Sequence, residues 1–315
     1  MKVLRLDDSI PSRALVEAEV PVPTPASGEV LIRVHAAGVT PSELTWYPTT
    51  HTKAGGERYR AVPGHEFSGV VAALGDGVTD FSTGDAVYGF NDWFAEGATA
   101  EYCITQASSI ARKPARLSHA EAASVPIGAL TAWQGLFDHA KLQAGEDLLI
   151  HGGAGAVGIF VVQLARRVGA RVSTTASSRN AEFLTQLGAE KVIDYKSERF
   201  EEQAREIDVV FDCVGGATLQ RSWDVLKPAG RMVTIAASIE GTAGERAKAA
   251  FFIVEPNRRQ LTEIAALLDS GAIKPYVDGV VPFRDASVAY FNNAGRGKGR
   301  GKVVIAIVED EASTN

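Results

Sequence analysis

The chain has 315 residues, enough for about two domains with substantial cores. With 45% hydrophobic and 22% charged residues it has the composition of an ordinary soluble globular protein. The net charge of −6 argues against nucleic acid or an anionic membrane surface as its main partner.

The first residues, MKVLRLDDSIPSR, hold no apolar segment of the signal-peptide kind, so a cytoplasmic location is expected. The two cysteines, Cys103 and Cys213, stand far apart in apolar runs and read as reduced core thiols. Short alternating or apolar runs at Val3–Leu6, Glu29–Ala36, Phe67–Leu74, Ala86–Tyr88 and Ala100–Thr105 predict strands, separated by turn-forming stretches such as PVPTPASG. Between them, Thr45 to Gly64 has no periodicity and is rich in Thr, Gly and Pro. It predicts a long loop of the kind that often carries function.

Beyond Pro114 the pattern changes. Ser118 and Glu121 are spaced as a capping box ahead of a helical run. Strands and helices then alternate: Asp147–His151, Gly155–Val168, Arg171–Thr175, Ala181–Leu187, Lys191–Ile193, Val209–Asp212, Leu219–Leu226 and Arg231–Ala236. Such alternation predicts a mostly parallel sheet flanked by helices. Phe251–Val254 predicts a further strand, Asn257–Leu268 a helix and Val303–Val308 a closing strand. Gly295–Lys302 (GRGKGRGK) forms a cationic loop before that strand, and EDEASTN forms a solvated tail. A Gly/Arg RNA-binding segment is the alternative for the loop, but the acidic whole disfavours it. The predicted fold class is α/β: a doubly wound, Rossmann-type parallel sheet (119–256) inserted in a strand-rich domain (1–118 and 257–315).

The most informative stretch is DLLIHGGAGAVGIFVVQLAR, Asp147 to Arg166. It reads as a buried strand, a turn with Gly153, Gly155 and Gly158 spaced G-x-G-x-x-G, and an amphipathic helix. That order suits a dinucleotide. Glycines allow the tight turn and close approach of a pyrophosphate, whose charge meets the unpaired N–H groups of the helix start, with Ala156 and Val157 in the same cradle. The polar residues and glycines within Leu148–Ala165 exclude a membrane span.

An NAD site usually places an acidic residue after the second strand to hold the ribose diol. No Asp or Glu stands between Gly169 and Ala181; Ser177, Ser178 and Arg179 do. Two hydroxyls and a guanidinium fit a 2′-phosphate, which favours NADPH. A polar turn capping the next helix is the alternative. His65 and Glu66, in GHEF, raise the question of zinc. Without a C-x-x-C pair the sequence offers no evident set of three ligands, and no metal is expected.

In order, the segments PTPASGEVLIRVHAAGV, PGHEFSGVV, FSTGDAVYG, GATAEY, TAW, GEDLLIHGGAGAVGIFVVQLAR, FDCVGG and RGKVV resemble the medium-chain dehydrogenase/reductase superfamily, in its zinc-independent quinone oxidoreductase branch. The resemblance implies a GroES-like catalytic domain around the dinucleotide domain, and commonly a homodimer, with FFIV (Phe251–Val254) at a sheet edge. In zinc-dependent members a cysteine occupies the place of Thr40 and another falls within Val125–Ala129, where this chain has none; His65 alone is kept. The glycine turn departs from the family pattern at Gly153 and Ala156. Carried over from similar proteins, Ser177, Arg179 and Tyr195 would contact the 2′-phosphate and adenosine ribose, Thr40 and Thr131 the nicotinamide, and Lys302 the cofactor phosphates. An ordinary strand-end tyrosine is the alternative for Tyr195.

The expected activity is NADPH-dependent hydride transfer to a quinone or an α,β-unsaturated carbonyl, with Tyr47, Tyr59 and His65 as candidate donors to the oxygen that forms. An NADPH-binding sensor or structural protein with little turnover, and a zinc alcohol dehydrogenase, are the alternatives. Steady-state turnover and metal analysis separate them.

Overall fold

The computed structural model describes residues 1–7, 14–236, 244–291 and 297–308. The chain forms two compact units, 1–127 with 255–315 and 128–254. Gly295, Arg296 and the EDEASTN tail lie outside the described residues.

The first unit begins with β1 (Lys2–Asp7) and β2 (Ala14–Glu19), an antiparallel pair. Next come β3 (Glu29–Gly38), a one-turn 3-10 segment (Pro41–Thr45) and α1 (Tyr47–Thr50). Four strands follow, β4 (Glu66–Leu74), β5 (Ala86–Phe90), β6 (Tyr102–Gln106) and β7 (Ile110–Arg112). α2 (His119–Ala123) starts at Ser118, which accepts from the Glu121 N–H while the Glu121 carboxylate takes the Ser118 N–H, as the capping-box spacing predicts.

The chain passes through α3 (Pro126–Trp133) into a parallel sheet. Its elements are β8 (Asp147–His151), α4 (Gly158–Val168), β9 (Arg171–Ala176), α5 (Ala181–Leu187), β10 (Lys191–Asp194), α6 (Phe200–Gln203), β11 (Ile207–Asp212), α7 (Gly216–Ser222), β12 (Leu226–Thr234) and α8 (Glu245–Ala250). The strand order is β10-β9-β8-β11-β12, all parallel. The order reverses on either side of β8, the switch point at which doubly wound sheets take their ligands. Leu148, Leu149, Ile150, Val209, Val210 and Phe211 are sealed from water, as central strands covered on both faces must be.

The chain then returns to the first unit as α9 (Arg258–Asp269), β13 (Val277–Pro282), α10 (Ala286–Phe291) and β14 (Lys302–Ala306). Asn257 caps α9 by accepting the Gln260 N–H. The sheet of this unit runs β13-β14-β3-β4-β5-β7, with β6 also on β3. Val30, Ile32, Val34, Phe67, Val71 and Val87 form its core.

Three expectations need correction. Thr45–Gly64 is no structureless loop: it holds α1, and His51 bridges Glu57. Phe251–Val254 is not a strand; only Phe251 pairs, in a single bridge to Thr234. Helix α4 begins at Gly158, three residues later than the periodicity suggested, because Gly152 to Val157 are spent on the turn. β2, β7 and β13 were not predicted. Gly279 and Pro282 break the apolar run of β13, which among the described residues pairs along one side.

Candidate functional site

In the second unit, β8 ends at His151 and the chain turns through Gly152 to Val157. The positive φ of this turn, 85°, falls on Gly152, one residue before the G-x-G-x-x-G run; Gly153, Gly155 and Gly158 all keep negative φ. Each glycine of the run has its own steric reason. A β-carbon on Gly153 would run into the Thr174 hydroxyl, and one on Gly158 into the Gly152 carbonyl. These two let α4 pack against the turn and β9. Gly155 differs: among described atoms a β-carbon there meets only the Gly152 carbonyl, at 3.3 Å, and the residue is exposed. Among the described residues the N–H groups of Ala156, Val157 and Gly158 take no partner. A bare backbone beside three unpaired donors at a helix start fits a pyrophosphate.

His151, wholly buried at the end of β8, fixes the base of this turn. Its Nδ1 lies 3.1 Å from Thr175 Oγ1 and its Nε2 2.9 Å from Ser222 Oγ, while the Thr175 carbonyl accepts from the N–H groups of Gly152 and Gly153. Burial pushes the imidazole down to about 4, against the pull of Asp212 and Glu201. It is therefore neutral at neutral pH. No sequence motif singles out this histidine; its place at the strand end before the glycines is the available signal.

Ser177, Ser178 and Arg179 follow β9 and are half-buried, exposed and exposed. Tyr195 follows β10 on the neighbouring strand and is 62% exposed. The ends of adjacent parallel strands thus present hydroxyls and a guanidinium to solvent. Ser178 also bonds Asp194, whose carboxyl is held below its usual range by the Lys196 N–H and by that bond. Thr131 lies buried on α3.

In the first unit a second set of polar side chains is sealed from water. Glu43, from the 3-10 turn, faces His65 Nδ1 at 2.7 Å and accepts the Gly64 N–H at 3.0 Å; both side chains are buried. His65 Nε2 stands 3.1 Å from the Trp93 carbonyl. A carbonyl only accepts, so that nitrogen carries a proton. Tyr290 joins through Thr99 at 3.1 Å and through Glu43, and burial together with Glu43 holds its phenol far above its usual range.

Beside this cluster Lys302, the first residue of β14, pairs with Glu66 Oε1 and donates to Thr40 Oγ1 at 3.1 Å. Glu66 opens β4, and β3 lies between β4 and β14. The pair meets across β3 because Gly38 has no side chain: a β-carbon there would stand 2.5 Å from Glu66 Cγ. Glu66 Oε2 accepts the Ile127 N–H at 3.0 Å. Burial raises the Glu66 carboxyl and Lys302 opposes that rise.

Zinc does not suit this arrangement. Thr40, in the place of the first ligand cysteine, offers a hydroxyl already engaged by an ammonium, and His65 spends both ring nitrogens inside the protein. Among the described residues no group of three or more His, Cys, Asp and Glu side chains is arranged to hold a metal ion. Both cysteines are free, and burial pushes the Cys103 thiol up to about 12. Tyr47 and Tyr59 are exposed; Tyr47 stacks on His51 and Tyr59 bonds Glu57, so neither belongs to the buried cluster. Among the described residues no helix is long and apolar enough to cross a membrane.

Residues 26–128 match the alcohol dehydrogenase GroES-like domain, and residues 187–305 match the zinc-binding dehydrogenase family. The chain is 33% identical to a probable zinc-binding oxidoreductase, mitochondrial, of Arthroderma benhamiae, over 96% of both chains. It is 35% identical to the 2-methylene-furan-3-one reductase of Solanum lycopersicum, over 92% of this chain and 74% of that protein. The structure of the quinone oxidoreductase from Coxiella burnetii superposes with a TM-score of 0.88 at 31% identity, covering 98% of this chain and 99% of the other.

Proposed function

Since the chain is an oxidoreductase belonging to the medium-chain dehydrogenase/reductase superfamily, we propose that it uses NADPH to reduce a quinone or an α,β-unsaturated carbonyl without zinc. The observation that carries this reading is the engagement of Thr40 by Lys302 and of both His65 nitrogens by Glu43 and Trp93. Lewis-acid polarisation of an alcohol or simple ketone needs a cation with an open position. A conjugated acceptor is already electron-poor, so positioning and hydrogen bonding suffice.

Bound at the β8 turn, the dinucleotide supplies the hydride. The residues of the second unit bind it: the bare Gly155 and the amides of Ala156, Val157 and Gly158 receive the pyrophosphate, and Ser177, Arg179 and Tyr195 receive the 2′-phosphate. The exposed positions of Arg179 and Tyr195 on adjacent strand ends support NADPH over NADH.

In the first unit, Thr40 Oγ1 is the hydroxyl that can present a proton to a developing oxyanion, since Lys302 donates to its lone pair and leaves its own O–H to give. Tyr47 and Tyr59, being solvent-exposed, would hand protons from water. Lys302 serves here as the partner of Thr40 and Glu66, replacing the phosphate contact that the resemblance implied.

The test is steady-state NADPH and NADH oxidation with a panel of quinones and enones, with product identification. Saturable turnover with NADPH preferred supports the reading. Tight cofactor binding with no turnover supports a sensor instead.

A further inference from the structure

Among the described residues β6 pairs with β3 alone, and β1 touches its other side only ahead of it, in the Val3–Ala100 bridge. Thr105 stands opposite Val30 and Cys103 opposite Ile32, while the Ala107 N–H reaches the Gly28 carbonyl and Glu101 accepts from Val34. Alternate residues of β6 thus spend their main-chain groups on β3, and those of Tyr102, Ile104 and Gln106 point the other way. Among the described residues these outward groups take no backbone partner. They line a cavity of about 450 Å³ together with Val3, Val20, Pro21 and Pro23. The two prolines have no N–H to give to the edge. Asn91 and Thr105 also line the cavity; both are buried, and Asn91 Oδ1 and Thr105 Oγ1 have no hydrogen-bond partner among the described residues. Buried polar atoms are nearly always paired, so two unpaired ones at one cavity point to a hydrogen-bonding guest.

We propose that this cavity docks an extended peptide, which adds a strand to the free edge of β6 and sets one acidic side chain against Arg5. Strand addition needs an unpaired N–H and C=O at every second residue, as Tyr102, Ile104 and Gln106 offer. Main-chain bonds along the edge supply affinity, and alternate side chains entering the cavity supply selectivity. A peptide also brings N–H donors for Asn91 Oδ1, which a hydrocarbon or a bare carboxylate lacks. Charge selects the acidic side chain. The carboxylates on the cavity wall are already engaged: Glu29 accepts from the Ala26 N–H and Gln106, Glu96 from the Val62 N–H and Arg58, and Asp92 from Lys53. Arg5, half-buried on the same wall, has no partner among the described residues. The site lies wholly in the first unit and shares no residue with the β8 turn or the Thr40–Lys302 contact. It stands whether or not the reductase reading does.

The experiment titrates the full chain into a fluorescein-labelled, end-blocked peptide, Thr-Val-Glu-Val-Thr, and follows anisotropy. Wild type should bind it saturably. Methylating every second amide nitrogen should abolish binding for one of the two alternate sets and spare the other, since only one set faces β6. Arg5→Glu should weaken the peptide roughly 3- to 10-fold, as reversing a partly exposed charge contact does, and should favour Thr-Val-Lys-Val-Thr instead. Ile104→Pro removes an outward N–H without touching the β3 ladder and should also weaken binding. Thermal melts beside the titrations report whether each variant is folded, and the Arg5→Glu exchange stands without the proline variant. No saturable binding to wild type, equal binding of the two methylated peptides, or an unaltered charge preference in Arg5→Glu overturns the inference. A dimer of wild type that Ile104→Pro abolishes would make a second copy the occupant, and overturns it too.

Discussion

Lys302 and Glu66 form an ion pair that water scarcely reaches, with side chains 6% and 0% exposed, joining the last described strand of the first unit to its fourth. Removing one member of such a pair strands a charge in a low-dielectric interior, at a cost of about 3–5 kcal/mol. Lys302→Met should therefore lower stability by that order, and Lys302→Met with Glu66→Gln should recover much of the loss. Urea unfolding of the two single variants and the double variant measures the coupling. Additive losses would show that the pair contributes little.

Activity should not depend on zinc. Purified protein treated with a chelator should keep its rate of NADPH oxidation, and elemental analysis should find no stoichiometric metal. Activity lost to the chelator and restored by zinc alone would contradict the engagement of Thr40 and His65 described above.

The glycines of the turn should separate binding from folding. Gly158→Ala places its methyl group against the Gly152 carbonyl and should lower Tm, with a loss of about 1–3 kcal/mol. Among described atoms a β-carbon on Gly155 meets only the Gly152 carbonyl, at 3.3 Å, so the side chain of Gly155→Val costs less packing than the Gly158 change while extending into the proposed phosphate position. It should lose less Tm than Gly158→Ala and lose NADPH affinity by tenfold or more, roughly the value of one charge-assisted contact. Fluorescence titration beside thermal melts checks both. A Gly155→Val protein that binds NADPH normally would move the phosphate site elsewhere.

Cofactor choice should rest on the residues after β9. Arg179→Ala should weaken NADPH roughly 10- to 100-fold and leave NADH nearly unchanged, since only one of them carries the 2′-phosphate. Ser177→Asp should go further by repelling that phosphate and accepting from a ribose hydroxyl. Because Arg179 is exposed, part of the preference should fade in high salt. Dissociation constants for both cofactors across the three proteins test the assignment, and equal weakening of the two by Arg179→Ala would refute it.

Stability should fall in mild acid through His151. Its folded value of about 4 lies below the usual 6.5, so between those values the unfolded chain takes a proton that the folded chain refuses. The contribution is whole above that window, declines as pH drops through it, and does not change further below it. Its full span is on the order of 3 kcal/mol. His151→Gln, which keeps a side chain able to bond Thr175 and Ser222, should flatten the decline between pH 6.5 and 4 in denaturant titrations.

How much of this was readable from the chain depended on how local each feature is. The Ser118–Glu121 capping box and the Gly153–Gly158 turn are written in consecutive residues, and both stand where the spacing put them. The parallel sheet followed from alternation of strand and helix patterns. The Lys302–Glu66 pair has no local signature, because it depends on β14 and β4 flanking β3 and on Gly38 being bare. The contact of Trp46 with Trp93, 5.2 Å between ring centroids, is hidden for the same reason. Tyr47 and Tyr59 are candidates by residue type on a loop, a criterion blind to which way a side chain faces, and both are exposed.

The split of the first unit around the second also orders events during synthesis. All five strands of the parallel sheet leave the ribosome before β13 and β14, so the second unit holds its complete sheet while the first still lacks two strands. Until residue 302 emerges, Glu66 and Thr40 lack the ammonium that meets both of them. A nascent chain halted after Val254 would thus carry the whole of the second unit yet lack two strands of the first. If the dinucleotide binds as proposed, its turn is complete before Lys302 reaches Thr40 and Glu66.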